Sequence, residues 1–179
     1  MHNSRIVSKV KPLALCISWL FAAFCYFWQT PPAFAHSFSH TSGTMIASIF
    51  SFSGKRPANL GVKDGKLQPC PGSPNCVSSQ STDKEHKIEP LQYNSAPAEA
   101  FAKLKAVIEK TDNAKIISEK DNYLYAEFTS ALMGFVDDVE FYIDEAAGLI
   151  QVRSASRLGQ SDLGANRTRI ETIRTQFNS

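Results

Sequence analysis

Four arginines, Arg153, Arg157, Arg167 and Arg169, fall within the stretch RSASRLGQSDLGANRTR (153–169), among serines, two glycines and Asp162, with no lysine. Arginine offers a planar fork of donors that holds a carboxylate or phosphate bidentately, whereas lysine suits a solvated surface. Every lysine of the chain lies at or before Lys120, and beyond it the basic residues are these four and Arg174. That segregation points to fixed geometry rather than bulk charge. Two uses compete for it. The glycines of 157–166 permit close approach, and a helix starting just after them would offer unpaired N–H groups, so the loop and its arginines make a candidate anion cradle. The same arginines can instead pair with the chain's own carboxylates at Asp137, Asp138, Glu140 and Asp162.

Strand periodicity separates the two uses in part. GFVDDVEFYID (134–144) places Phe135, Val139, Phe141 and Ile143 on one face and Asp138, Glu140 and Tyr142 on the other. LIQVRSAS (149–156) returns after the EAAG turn with Ile150 and Val152 inward. If the apolar faces coincide, paired residue numbers sum to an odd value near 291 or 293, and Arg153 stands opposite Asp138 or Glu140. Arg153 is therefore the arginine expected to pair internally. Arg157 and Arg167, at the two ends of the glycine loop, are the pair expected to meet something from outside. Asp137 breaks the alternation on the apolar face, so it needs a partner, an exposed strand end or a bulge.

Other chemistry is sparsely represented. Cys70 and Cys76 enclose the turn formers PGSPN. In an exported protein an even pair suggests a disulfide, with a redox or metal-binding thiol pair, or two free thiols, as alternatives. Outside the leader the histidines are His36, His40 and His86, with neither Cys-x-x-Cys nor His-Glu-x-x-His, so no metal is expected. No Walker loop or dinucleotide fingerprint calls for a cofactor, and Ser78 and Ser79 follow Cys76 with no assignable base. An enzyme built from this chain would use Asp137, Asp138 or Glu127 as general acid or base beside a charge-stabilising arginine. The competing reading is a non-enzymatic accessory protein that holds an anionic small molecule, a lipid headgroup or a protein carboxylate.

The elements that must position these residues follow from the rest of the chain. Arg5, Lys9 and Lys11 precede the apolar run PLALCISWLFAAFCYFW (12–28), and QTPP leads into AFA before His36. This is the pattern of an export signal over 1–35, cleaved after Ala35. The leader holds three of the 19 basic residues and none of the 17 acidic ones, leaving 16 against 17, a net charge of −1. Binding to nucleic acid by counterion release needs a clear basic excess and is not expected. Residues 36–69 read as a linker or extended arm, whose apolar stretch MIASIFSF (45–52) is too short to span a membrane but suited to dock on one or on the domain itself. Membrane contact is expected only there or through an uncleaved leader.

Residues 70–179 read as one domain. HKIEPLQY (86–93) resembles an edge strand, and Ser95 is placed to cap a helix carrying Phe101, Leu104, Val107 and Ile108. AKIISEK (114–120) and YLYAEFTS (123–130) form a hairpin around Asp121-Asn122, and ANRTRIETIRTQF (165–177) carries Ile170, Ile173 and Phe177 at helical spacing. The order β-α-β-β-β-β-α predicts an α+β fold, a mostly antiparallel sheet with two helices packed on one face.

Three stretches, PCPGSPNCVSS (69–79), GFVDDVEFY (134–142) and VRSASRLGQSDLGANRTRIE (152–171), resemble the bacterial and plastid family known as domain of unknown function 1499. The arm FSGKRPANLGVKDGKL (52–67) is similar to members from photosynthetic bacteria, which points the exported protein to the periplasm or thylakoid lumen. The resemblance implies no reaction. It marks the cysteine loop, the Asp137-Asp138 pair and the arginine loop as family motifs.

Overall fold

Alternating strands with short turns between them build the centre of the molecule, described in a computed structural model over residues 52–179. Residues 1–51, with the expected export signal over 1–35 and most of the stretch 45–52, lie outside the described residues. The elements run β1 (Cys76–Ser78), β2 (Leu91–Gln92), α1 (Pro97–Glu109), β3 (Ala114–Lys120), β4 (Tyr123–Thr129), β5 (Val136–Asp144), β6 (Leu149–Ser156) and α2 (Ala165–Asn178). The fold is α+β: β3 to β6 form an antiparallel meander, and β1 and β2 both pair with β6 at its outer side. The β5–β6 register pairs Glu140 with Arg153 and Phe141 with Val152, so partner numbers sum to 293, one of the two values the alternation allows. A one-residue slip would turn every side chain of a strand to the other face, which is why the apolar pattern fixes the register so tightly.

Both helices cover the face that carries Leu124, Val139, Phe141, Ile150 and Val152, and bring Leu104, Ile108, Ile170 and Ile173 against it. Helix α1 starts at Pro97, whose fixed φ suits the first helical position. The N-cap is Ala96 with no side-chain hydrogen bond, and the Ser95 hydroxyl donates to the Ala96 carbonyl instead, so Ser95 does not cap the helix. Phe135 also departs from expectation. It precedes β5, half-exposed, and stacks on Phe52 with ring centroids 5.2 Å apart. Among the described residues no helix is long and apolar enough to cross a membrane.

Cys70 and Cys76 form a disulfide across 5.6 Å between Cα atoms. Cys76 opens β1, opposite Ala155, so the bridge ties the 70–76 loop to the outer side of β6. Replacing both cysteines by serine is expected to cost roughly 2.4 kcal/mol, the loop-entropy value for so short a ring. A urea midpoint measured with and without reductant checks this. The wild type should move and the double-serine variant should not.

Candidate functional site

Alternation sends the polar residues of the strands to the sheet face away from the helices. On β5 these are Asp138 and Glu140, on β6 Arg153 and the adjoining Arg157, and on β4 Tyr123, Tyr125 and Glu127. Residues 52–69 lie over this face. Leu67 is buried there with Leu60 against Tyr123 and Tyr125, the Gly61 N–H donates to Glu140 Oε1 at 2.8 Å, and Arg56 Nε donates to Glu127 Oε1 at 2.6 Å. Three carboxylates, Glu127, Asp138 and Glu140, thus meet three guanidinium groups, from Arg56, Arg153 and Arg157. A buried charge is tolerable only when paired in this way.

Arg157 is the hub. Its Nε donates to both oxygens of Asp138, at 3.1 and 3.0 Å, and its Nη2 reaches Asp138 at 2.7 Å, Tyr125 Oη at 3.1 Å and Glu127. The Tyr125 hydroxyl donates to Asp138 at 2.5 Å. Hydrogen bonding to Asp138 pushes the Arg157 pKa up, against the effect of its own burial. Burial alone would raise Glu127, yet the bonds from Arg56, Arg157 and Tyr125 prevail and hold it down at about 2. Burial, reinforced by Asp138, pushes the Tyr125 phenol up, and burial with Glu140 does the same for Tyr123. Both tyrosines therefore serve as donors that stay protonated.

Glu140 is fully buried and accepts from Tyr123 Oη at 2.8 Å, from Gly61 and from Arg153 Nη1 at 3.2 Å. Arg153 is the register partner the alternation anticipates, but its buried Nε has no hydrogen-bond partner among the described residues. The expected division of labour is therefore inverted. Arg157, expected to look outward, is the most thoroughly engaged arginine, and Arg153 keeps part of its fork unused.

The helix side holds a second network. Asp137, the anomaly of the apolar face, pairs with Arg169 of α2 at 2.5 Å, and the Arg169 guanidinium lies 5.0 Å over the Phe128 ring. Arg169 also donates to Ser154 Oγ and Asn166 Oδ1. The cradle at the start of α2 is filled by the chain itself: Asp162 accepts from the Gly164 and Asn166 N–H groups at 3.0 and 2.8 Å. Its burial would raise its pKa, but those backbone bonds lower it. Arg167 donates to the carbonyls of Lys87 and Glu85 at 2.8 and 2.9 Å. The sequence-derived residues thus fall on opposite faces, with Asp138, Arg153 and Arg157 under the arm and Asp137, Asp162 and Arg169 beside α2.

Residues 66–177 match the family model described as protein of unknown function, DUF1499. The chain belongs to that family. No curated protein matches the chain.

The DUF1499 match begins at the edge of the arm, so the segment carrying Arg56 and Gly61 lies outside it. Sequence reasoning overlooks Tyr123, Tyr125, Arg56 and Gly61. The tyrosines carry a usable signal, because alternation in YLYAEFT aligns them with Glu127 on one face. The arm carries none. Its polar partners are reached through backbone and a lone arginine, and Leu60 and Leu67 follow no period.

The DUF1499 domain has surface clefts elsewhere. One of about 460 Å³ adjoins the disulfide loop and takes Lys66, Ser78, Gln80, Asp83 and His86 into its wall. Another of about 550 Å³ runs beside α2 past Phe128, Leu163 and Arg169. In the first, His86 Nδ1 meets Asp83 and Nε2 lies 3.2 Å from the Ser73 carbonyl. Neutral imidazole has one N–H, so donating to both requires the imidazolium. The bond to Asp83, more than the opposing burial, raises the His86 pKa in that direction.

Proposed function

We propose that this DUF1499 chain is an exported, non-catalytic accessory protein of the periplasm or thylakoid lumen, whose polar sheet face takes a small oxyanion on Arg153. The observation that carries the reading is the buried Arg153 Nε, which donates to nothing among the described residues while the neighbouring arginines are committed. A buried donor without an acceptor costs about 1–3 kcal/mol, and an oxyanion seated on the free edge of the fork relieves it. Catalysis is the weaker reading. A carboxylate held at about 2, as Glu127 is, makes a poor base at neutral pH, and phenols pushed upward make poor nucleophiles. Export is supported by the leader pattern and by a disulfide that suits an oxidising compartment. It predicts a mature N-terminus at His36.

Isothermal titration and thermal shift with phosphate, acetate and phosphatidylglycerol vesicles test the ligand and separate a free anion from a headgroup. We expect a rise in Tm with at least one of them. Arg153→Lys, which keeps Glu140 paired but removes the fork, should lose the response while remaining folded. No response from the wild type, or an unchanged response from folded Arg153→Lys, overturns the reading.

A further inference from the structure

The two ends of the sheet differ in character. At one end the turns carry Lys120, Asp121, Asp144 and Glu145. At the other, the loops 130–135 (SALMGF) and 158–164 (LGQSDLG) leave β4 and β6 on either side of β5, since Val136 pairs with Thr129 and Asp137 with Ser156. The one charged residue in these two loops is Asp162, and its carboxylate turns inward onto the start of α2. Beside the uncharged Ser130, Gln160 and Ser161, the loops present large apolar side chains outward. Leu132 is 85% exposed and Leu163 97% exposed, with Met133, Phe135 and Leu158 partly exposed around them.

Leu163 is disfavoured twice where it stands. Its φ of 53° is left-handed backbone that favours glycine or asparagine, and its side chain gains almost no burial within the domain. Scattered surface leucines need no explanation, but two almost fully exposed ones on two loops at one end of the sheet do, even with Lys110 and Asp112 of the α1–β3 connection at that same end.

The chain reaches this same end. Phe52 stacks on Phe135, and Gly54 lies so close to the loop that an added Cβ would stand 3.0 Å from Arg157 Cβ and Leu158 Cγ. Phe52 is the last residue of the apolar octet MIASIFSF. An apolar segment that the mature chain keeps is thus joined to the domain at the end where Leu132 and Leu163 are exposed. Leu132 and Leu163 stand on two separate loops and project outward, a shape suited to a deformable apolar phase.

We propose that this end of the domain is a membrane-docking surface, with Leu132 and Leu163 inserted at the boundary between headgroups and acyl chains of a lipid bilayer. Insertion is shallow. Loop backbone leaves polar groups that hydrocarbon cannot satisfy, so the side chains enter and the loops stay at headgroup level. No outward charge of these loops has to be desolvated. The surface is independent of the anion reading, which concerns Arg153 on the sheet face.

A diazirine amino acid placed at Leu132, at Leu163, or at Ala146 in the opposite turn tests this in the full-length chain on vesicles of phosphatidylcholine with a minority of phosphatidylglycerol. After illumination, mass spectrometry should find lipid adducts at 132 and 163 many-fold above those at 146. Equal yields at the three positions, or chain that stays off the vesicles, overturns the proposal. So do adducts at 132 and 163 to a second copy of the chain, or to residues 45–51, in place of lipid. The Arg153→Lys background should leave the lipid adducts unchanged, which separates failure of the docking surface from failure of the anion site.

Discussion

Replacing Arg157 by alanine is expected to lower the unfolding free energy by about 3–5 kcal/mol, the cost of breaking a buried ion pair from one side. The Arg157 side chain is 6% exposed and that of its partner Asp138 is 2% exposed, so the pair is buried. Without it Asp138 keeps the Tyr125 hydroxyl alone, and Glu127, which approaches the same hydroxyl at 3.1 Å, keeps Arg56, so two neighbouring carboxylates are left with one guanidinium. Arg157→Lys should fall between wild type and alanine, because one ammonium cannot span both carboxylates. Urea denaturation measures both. A loss below about 1 kcal/mol, the range of a surface pair, would show that the cluster is solvated.

Acid should unfold the domain through the same cluster, over a range set by Glu127. The group's ordinary value of 4.5 is depressed to about 2 in the folded state. A depressed carboxylate contributes stability that is fully present above the unfolded value and is lost as pH falls through the folded one. The urea midpoint should therefore decline between pH 4.5 and 2. The contribution has an upper bound of about 3 kcal/mol, reduced by solvent screening. His86 has the opposite sign. Its pKa is raised above 6.5, chiefly by Asp83, so its contribution is present below 6.5 and disappears as pH rises through the raised value. Stability should peak on the acid side of neutrality, and His86→Gln should flatten the alkaline limb alone. A midpoint that stays level from pH 4.5 to 2 contradicts the role given to Glu127.

What was legible in the sequence is what periodicity controls. The β5–β6 register, the face of each carboxylate, the hairpin of β3 and β4 and the apolar stripes of both helices all follow from alternation or helical spacing. Asp137 shows the method at its best. Its wrong-face position demanded a partner, and Arg169 supplies one from α2. Strand β1 escaped because three residues between turn formers show no period, and its place comes from pairing with β6. The inversion of Arg153 and Arg157 has a similar cause. Pairing β5 with β6 locates the partner of Arg153, whereas the commitments of Arg157 depend on β4 arriving alongside with Tyr125 and Glu127. The capping of α2 by Asp162 was open because a glycine loop suits an external anion and an internal carboxylate equally well.

The strap formed by residues 52–69 carries a consequence for how the molecule assembles in time. Its contacts join partners far apart along the chain: Arg56 to Glu127 across 71 positions, Gly61 to Glu140 across 79, and the Ser53 carbonyl to Arg157 across 104. The meander from β3 to β6 pairs sequence neighbours through short turns. Closing long loops is entropically slower than closing short hairpins, so the strap, although made first, settles last. During that interval Glu127, Asp138 and Glu140 outnumber Arg153 and Arg157, and the nascent sheet carries an excess negative charge on an open face. Arg56 cancels it on arrival, so the final step of folding should be accelerated at low ionic strength and slowed by salt.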